Sequence, residues 1–397
     1  MRKVLFVDDD KNLLDALARG LKGVSSFQAT FATSGQDALA LLEGNTFDVI
    51  VTDMKMSGMD GVALLVKIKE KHPSLVRIVP SGHAEFESGL RALAISHQYL
   101  QKPCPTEKLV EVIHRTCHLQ ALLVDDTVRK LVGQIGRLPA LPRTYGELSR
   151  ALAADAPFST VKGIVEKDPA VCAKILQVVN SAVLGLPRRV ANVQNAISCL
   201  GTNMLRNVVL STEVFSGPAP AGRKVIDALQ AHSMLTASIA RQMMAGTHLA
   251  DDAFTAGLLH DLGRLIIVNQ MPKVSADVEA AVKKGGTPTY RAEEQVLRTS
   301  HAEIGGYLLG LWGLPYPVVE AVANHHHPER IAAPRFDLLA VVHIAEALAN
   351  EVGPGAAEKG AAVDTIYLEE LGVTNKLDGW RAMAEVQAEA VAAIGAA

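Results

Sequence analysis

Short apolar segments alternate with amphipathic ones along the first 120 residues. The amphipathic segments repeat apolar residues at helical spacing, as Leu13, Leu14, Leu17 and Leu21 do. Short connections between alternating strands and helices favour a parallel arrangement. The pattern predicts an α/β fold with a doubly wound five-stranded parallel sheet. Its strands are expected within Lys3–Val7, Phe27–Ala32, Phe47–Thr52, Leu75–Pro80 and Gln98–Leu100.

Polar residues stand where these strands end: Asp8, Asp9, Asp53, Ser81 and Lys102. In a doubly wound sheet, the carboxyl ends of the strands meet at one edge, so we expect these side chains to gather there. Three clustered carboxylates repel one another unless a hard cation neutralises them, and all-oxygen ligation suits Mg²⁺. An aspartate can also act as a nucleophile and form an aspartyl phosphate.

The remaining chain is predicted to be helical. Residues 121–137 form a helical connector. An apolar stripe from Thr106 to about Arg137 is interrupted at Asp125-Asp126, and the second half of this stretch is a candidate dimer-forming helix. An all-α domain over 138–345 and a C-terminal helical extension over 346–397 follow. The predicted helices of the all-α domain include Val193–Leu200, Asn203–Leu210, Val225–Met244, Ala253–Asn269, Ser275–Lys284 and Arg291–Leu311.

Composition excludes several functional classes. Lys and Arg number 39 against 42 Asp and Glu, which leaves a formal charge of −3 and no overall field that would attract nucleic acid. The four cysteines form no CxxC pair, so the sequence supports neither a disulfide framework nor a cysteine zinc site. No apolar run approaches the roughly 18–20 residues that span a bilayer. We therefore expect a cytoplasmic protein without DNA or membrane partners.

Histidines concentrate in the helical region, on separate predicted helices. Imidazole with carboxylate suits Fe, Mn, Co or Zn better than Mg or Ca, and such a metal could activate water against a phosphodiester. Spacing alone does not establish that these residues converge. The candidate ligands are His232, His260, Asp261, His301, His325, His326 and His343.

Residues 1–120 resemble the receiver domain of two-component response regulators. The motifs that support this resemblance are the acidic strand ends, Lys102-Pro103 and the stretch Asp53–Gly61. The resemblance departs at Ser57, where the family pattern DxxMPxMDG has proline, and at Pro80 before Ser81. It implies Asp53 as phosphoacceptor, a Mg²⁺ site made by Asp8, Asp9, Asp53 and the main-chain carbonyl of Lys55, and Ser81, Tyr99 and Lys102 as switch or phosphate-binding residues.

Residues 138–345 resemble the HDOD domain, the HD-related output domain of bacterial signalling proteins. Matching segments include Leu138–Pro142, Asn180–Ala182, Gly257–Gly263, His301–Gly305 and Leu311–Pro315. The resemblance implies His232, His260, Asp261, His301, His325 and His326 as metal ligands, with His343 at the position of a distal aspartate. The substrate-reading motif of the related HD-GYP cyclic diguanylate phosphodiesterases does not occur in the sequence.

Two functions remain open. The preferred hypothesis is a response regulator that a sensor histidine kinase or phosphotransfer protein phosphorylates at Asp53, with an output that binds a protein or a nucleotide signalling molecule. The alternative is a phosphorylation-gated, metal-dependent phosphohydrolase that uses His260-Asp261. A homodimer through the receiver and the connector helix is a further hypothesis.

Overall fold

The computed structural model describes residues 1–81, 95–119, 123, 125–135, 142–181, 189–211, 223–331, 334–353 and 363–396. The chain divides into two compact units. The first comprises residues 1–137 with the short segments 177–189 and 310–313, and the second comprises 138–176, 190–309 and 314–397.

The first unit is built on a five-stranded sheet in the order β2-β1-β3-β4-β5 with every neighbouring pair parallel. The predicted doubly wound sheet is confirmed. Val4–Val7 and Val49–Thr52 are buried throughout, as expected of strands covered on both faces. The strands are β1 Arg2–Val7, β2 Phe27–Ala32, β3 Val49–Thr52, β4 Val76–Ser81 and β5 Gln98–Gln101.

Helices pack around this sheet, and aspartates begin three of them. The side chains of Asp10, Asp60 and Asp125 each accept main-chain N–H groups of the first turn, which stabilises a helix N-terminus. In the described part of residues 1–137, the helices are α1 Lys11–Gly20, α2 Gly35–Gly44, α3 Gly61–Lys71, α4 Thr106–Leu119 and α5 Asp126–Gln134.

Helix α5 belongs to the first unit, as the sheet does, and packs against the loop after α3. Gly133 lies so close to the loop after α3 that a Cβ there would be 2.1 Å from the Pro73 carbonyl oxygen. The guanidinium of Arg77, only 1% exposed, donates to the Gly133 carbonyl at 2.6 Å, and His97 Nε2 lies 3.1 Å from that oxygen. Leu123 and Ile135, two residues of the apolar stripe that suggested a dimer-forming helix, are buried within the chain.

Among the described residues from 142 onward, the regular elements are helical. They are α6 Pro142–Ala153, α7 Phe158–Val165, α8 Pro169–Asn180, α9 Val193–Ser211, α10 Arg223–Met243, α11 Ala250–Leu259, α12 Leu262–Gln270, α13 Pro272–Gly285, α14 Thr289–Leu297, α15 His301–Leu311, α16 Tyr316–Asn324, α17 Leu338–Val352, α18 Thr365–Glu370 and α19 Leu377–Ala396, with 3₁₀ turns at Pro328–Arg330 and Thr374–Lys376. Helix α17, buried from Leu338 to Ala349, packs against α10, α11, α16 and α19.

Two helices predicted as continuous are broken. The segment 253–269 divides at His260-Asp261 into α11 and α12. The segment 291–311 divides into α14 and α15, because Arg298 adopts a left-handed conformation (φ 58°) that ends α14. Conversely, the predicted helices Val193–Leu200 and Asn203–Leu210 are joined in α9, which kinks at Gly201, where φ is 67°. No helix in the described part of the chain is long and apolar enough to cross a membrane.

Candidate functional site

The strand-end residues of the first unit form an acidic cluster. Asp8 follows β1 and Asp53 follows β3, and these strands pair in register at Val7 and Thr52. Lys102, after β5, places its Nζ 2.6 Å from Asp53 Oδ1 and 3.9 Å from Asp8 Oδ2. The sheet therefore brings together one lysine and the carboxylates that the sequence singled out.

Main-chain N–H groups hold each carboxylate of the cluster. Asp8 Oδ1 accepts from the Asp10 N–H at 2.9 Å, and Asp53 Oδ2 accepts from the Lys55 N–H at 3.2 Å. Asp9 Oδ2 accepts from Ser57 twice, from its N–H at 2.7 Å and from its hydroxyl at 2.6 Å. All three carboxylates are thus oriented by the loops at this edge of the sheet.

The environment separates the acidities of Asp8 and Asp9. Burial raises the pKa of Asp8, although the Asp10 N–H and Lys102 oppose the shift. The hydroxyl and N–H of Ser57 lower the pKa of Asp9. Oxygen donors of this kind are the ligands that Mg²⁺ takes in proteins, so the residues present fit the predicted ion.

A close backbone contact fixes the loop that carries Asp53. A Cβ at Gly61 would lie 2.1 Å from the Asp53 carbonyl oxygen, so only glycine fits there without a backbone shift. The Gly61 N–H also donates to the Met54 carbonyl at 2.9 Å. Ser81 and Tyr99 lie on β4 and β5 as predicted from the sequence, but their side chains lie outside the described part of the structure.

The histidines of the helical region converge on a second centre, which we call the histidine centre. Its members come from separate elements: α10 (His232), the break between α11 and α12 (His260, Asp261), the first residue of α15 (His301), the two residues after α16 (His325, His326) and α17 (Glu346). Three overlapping groups could each hold a metal ion: His232-His260-Asp261, His301-His325-His326 and His260-His325-Glu346.

Asp261 lies in the middle of the histidine centre. Its Oδ1 is 3.0 Å from His301 Nε2, and its Oδ2 is 3.7 Å from His260 Nε2 and 4.0 Å from His232 Nε2. Arg264, one turn further along α12 and one third exposed, contacts the same Oδ2 at 3.2 Å. These positive and polar groups outweigh burial and hold the pKa of Asp261 well below its usual range.

Two histidines present unpartnered nitrogens inside the centre. The Nδ1 atoms of His260 and His325 lie 2.6 and 2.8 Å from the carbonyl oxygens of Gly257 and Val322. Both Nε2 atoms are buried and have no hydrogen-bond partner. An imidazole whose Nδ1–H is bound to a carbonyl keeps its Nε2 lone pair for a metal. The residues present therefore fit a metal ion.

Carboxylates set the charge state of His301. Its Nδ1 lies 2.6 Å from Glu293 Oε2, and its Nε2 lies near Asp261. Burial lowers the pKa of His301, but Glu293 and Asp261 outweigh it and raise the pKa to about 10. Burial also raises the pKa of Glu346 to about 8. A metal ion bound at this centre would displace these protons.

Two family models match the chain in the order of these two centres. A response regulator receiver domain matches residues 4–114, and an HDOD domain matches residues 138–328. The chain is a response regulator with an HDOD domain. It therefore belongs to two-component signalling, and neither matching model describes a DNA-binding domain.

Individual relatives cover parts of this response regulator. The DNA-binding transcriptional regulator NtrC of Salmonella typhimurium is 32% identical over 156 residues, which are 37% of this chain and 33% of the relative. An uncharacterized protein of Treponema pallidum is 24% identical over 222 residues, 55% of this chain and 42% of that protein. The chain thus spans one third to two fifths of the length of these relatives.

A solved structure shares the fold of this response regulator. A virulence factor from Campylobacter jejuni matches with a TM-score of 0.50 at 19% identity, over 66% of this chain and 93% of that one. The MmoQ response regulator from Methylococcus capsulatus matches 62% of this chain and 98% of its own, at 23% identity and a TM-score of 0.48.

One candidate ligand, His343, is not part of the three groups that could hold a metal ion. His343 does not join the histidine centre, since its Nδ1 lies 2.7 Å from the His325 carbonyl oxygen and its ring contacts Tyr367 edge-on. Glu346, one turn later on α17, places its Oε2 3.6 Å from His325 Nε2 instead. Sequence reasoning also missed Glu293 and Arg264. The available signal for Glu346 was that it is the single carboxylate in segment 338–349, whose other polar residue is His343.

Proposed function

We propose that Asp53 accepts a phosphoryl group from a sensor histidine kinase or a phosphotransfer protein. The supporting observation is the ion pair of 2.6 Å between Lys102 and Asp53, beside Asp8 and Asp9. An Asp53 carboxylate oxygen attacks phosphorus, the bond from phosphorus to the donor's nitrogen breaks, and that nitrogen keeps the electron pair. Lys102 then pairs with a phosphoryl oxygen.

Mg²⁺ held by Asp8, Asp9, Asp53 and the Lys55 carbonyl would neutralise charge on the phosphoryl oxygens during this transfer. The chain's own groups keep these ligands in place, since the N–H groups of Asp10 and Lys55 fix Asp8 and Asp53 before any ion binds. Ser81 and Tyr99 are proposed to read the phosphorylated state.

Acetyl phosphate labelling tests the acceptor. The full chain is incubated with acetyl phosphate and MgCl₂, and the added mass is located by peptide mass spectrometry. We expect labelling in the wild type and in the Asp15→Ala control, because Asp15 is an exposed residue of α1 outside the cluster. We expect none in Asp53→Ala. Persistent labelling of Asp53→Ala at another residue would reject the assigned acceptor.

For the HDOD domain, the geometry favours a metal-dependent phosphohydrolase over an output that only binds a protein or a nucleotide. The observation that carries this proposal is the pair of buried, unpartnered Nε2 atoms on His260 and His325, oriented by their Nδ1 bonds. A divalent Fe, Mn or Zn ion held by these residues would supply the Lewis acid for hydrolysis of a phosphoester. Arg264 is partly exposed beside Asp261 and supplies a cation for the phosphate of a substrate.

Metal analysis tests this second function. We expect stoichiometric Fe, Mn or Zn in purified full-length protein by inductively coupled plasma mass spectrometry, and loss of the metal in a double His260→Ala, Asp261→Ala variant. His248→Ala is the matched control, since His248 is an exposed histidine outside the centre. Hydrolysis of bis-p-nitrophenyl phosphate should follow the metal content. A metal-free wild type without hydrolysis would leave the binding output as the better proposal.

A further inference from the structure

Ser57 lies in the loop between β3 and α3, which also carries Asp53. Proline has no main-chain N–H and no hydroxyl, whereas Ser57 directs both groups at Asp9 Oδ2. We propose that Ser57 is a positioning residue that fixes the Asp9 carboxylate through one oxygen and prepares its other oxygen for Mg²⁺. This inference rests on the proposed phosphoacceptor function.

The two bonds to Asp9 differ from the main-chain contacts that hold Asp8 and Asp53. Asp8 is held by a main-chain N–H two residues away, and Asp53 by the N–H of Lys55, so these contacts do not depend on the side chain that the donor residue carries. Asp9 is held across 48 residues of sequence by one residue whose side chain and N–H both take part. Its orientation therefore depends on the residue type at position 57.

The exposure of Asp9 makes this restraint useful. Unlike Asp8, which is buried, Asp9 is exposed and would otherwise sample several rotamers in water. Fixing a flexible side chain before the ligand arrives removes part of the entropic cost of binding. Since the metal needs only one oxygen of the carboxylate, two donors on Oδ2 orient Oδ1 without replacing it as a ligand. We expect the gain in Mg²⁺ affinity to be about two- to fivefold.

Calorimetric titration with MgCl₂ tests the proposal on the full chain. The heat lost in an Asp9→Ala variant identifies binding at the acidic cluster. We expect Ser57→Ala to raise the dissociation constant about twofold and Ser57→Pro, which removes both donors, about fivefold. Ser57→Thr, which keeps both donors, should retain wild-type affinity. Ser198→Ala, on an exposed face of α9, is the control substitution.

Labelling by acetyl phosphate supplies a second readout. The Mg²⁺ concentration for half-maximal labelling should rise in Ser57→Pro by the same factor as the dissociation constant, while the rate at saturating Mg²⁺ stays within about twofold of wild type. A general loss of structure would lower the saturated rate as well. Equal or tighter Mg²⁺ binding by Ser57→Ala and Ser57→Pro would overturn the inference and leave the acceptor role intact. A wild type that neither binds Mg²⁺ nor is labelled would reject both.

Discussion

Gly263 follows the His260-Asp261 break and allows α12 to approach the start of α15. A Cβ at this position would lie 2.0 Å from the carbonyl oxygen of His301, 2.7 Å from its carbonyl carbon and 2.9 Å from its Cα. All three are main-chain atoms, so no side-chain rotation can relieve the clash. Substitution by alanine therefore has to move the backbone that carries a candidate ligand.

The size of the movement follows from these distances. Close C···O contacts in proteins are about 3.3 Å, so α15 would have to move by about 1.3 Å relative to α12. Overpacking of this kind costs about 1–3 kcal/mol. The same shift would separate His301 Nε2 from Asp261 Oδ1, now 3.0 Å apart. Disturbing the groups that orient a metal ligand typically lowers metal affinity by about 10- to 100-fold.

Urea unfolding and metal analysis of Gly263→Ala check this reasoning together. We expect a lower urea midpoint by circular dichroism, with or without EDTA, and a lower metal content. The control is Gly163→Ala, because Gly163 is exposed in α7 and a Cβ at that position would meet no atom within 4 Å. This control should be neutral or stabilising by up to about 1 kcal/mol. Wild-type stability and metal content in Gly263→Ala would refute the argument.

Three further substitutions or conditions test other contacts. Gly61→Ala should displace Asp53, because the new Cβ would collide with the Asp53 main chain. Acetyl phosphate labelling should then slow about tenfold or more, since small misplacements of reacting groups are costly. An unchanged rate would contradict the close packing. Gly133→Ala should destabilise the first unit by about 1–3 kcal/mol, because the new Cβ would clash with the Pro73 carbonyl oxygen. The loss of stability should appear as faster hydrogen exchange in α5. Protection of α5 equal to wild type would count against this packing. Burial and then Arg77 hold the pKa of His97 well below its usual value, so His97 is neutral when folded and becomes protonated in the unfolded chain as the pH falls. Acidification below about pH 6.5 should therefore cost up to about 1.4 kcal/mol per pH unit, and His97→Gln should reduce this slope in urea titrations.

The sheet and its acidic cluster were predictable because strand patterns and strand-end residues are local in sequence. In a parallel sheet, consecutive strands end on the same edge, so Asp8 and Asp53 had to meet once the strands were recognised. The close contact of Gly61 with the Asp53 main chain was not predictable, since a loop's backbone approach leaves no pattern of apolar residues.

The histidine centre was predicted only as a set of residues. The breaks at His260-Asp261 and Arg298 were missed because apolar spacing continues across them, while backbone conformation and tertiary contacts end the helices. His343 and Glu346 lie one turn apart on α17, so spacing alone could not decide which of them faces the centre. The rotation of a buried helix is set by its neighbours on all sides, which a single sequence does not encode locally.

The contact between Arg77 and Gly133 bears on how such regulators exchange modules. The receiver family pattern ends at residue 114, yet a buried guanidinium of the sheet finds one of its acceptors at residue 133. A chimera joined at residue 120 would leave that cation without this carbonyl, and His97 without the same partner. A junction after residue 135 would retain the contacts of both Arg77 and His97 with the Gly133 carbonyl. Recombination between receivers and new output domains is therefore expected to tolerate the later junction better.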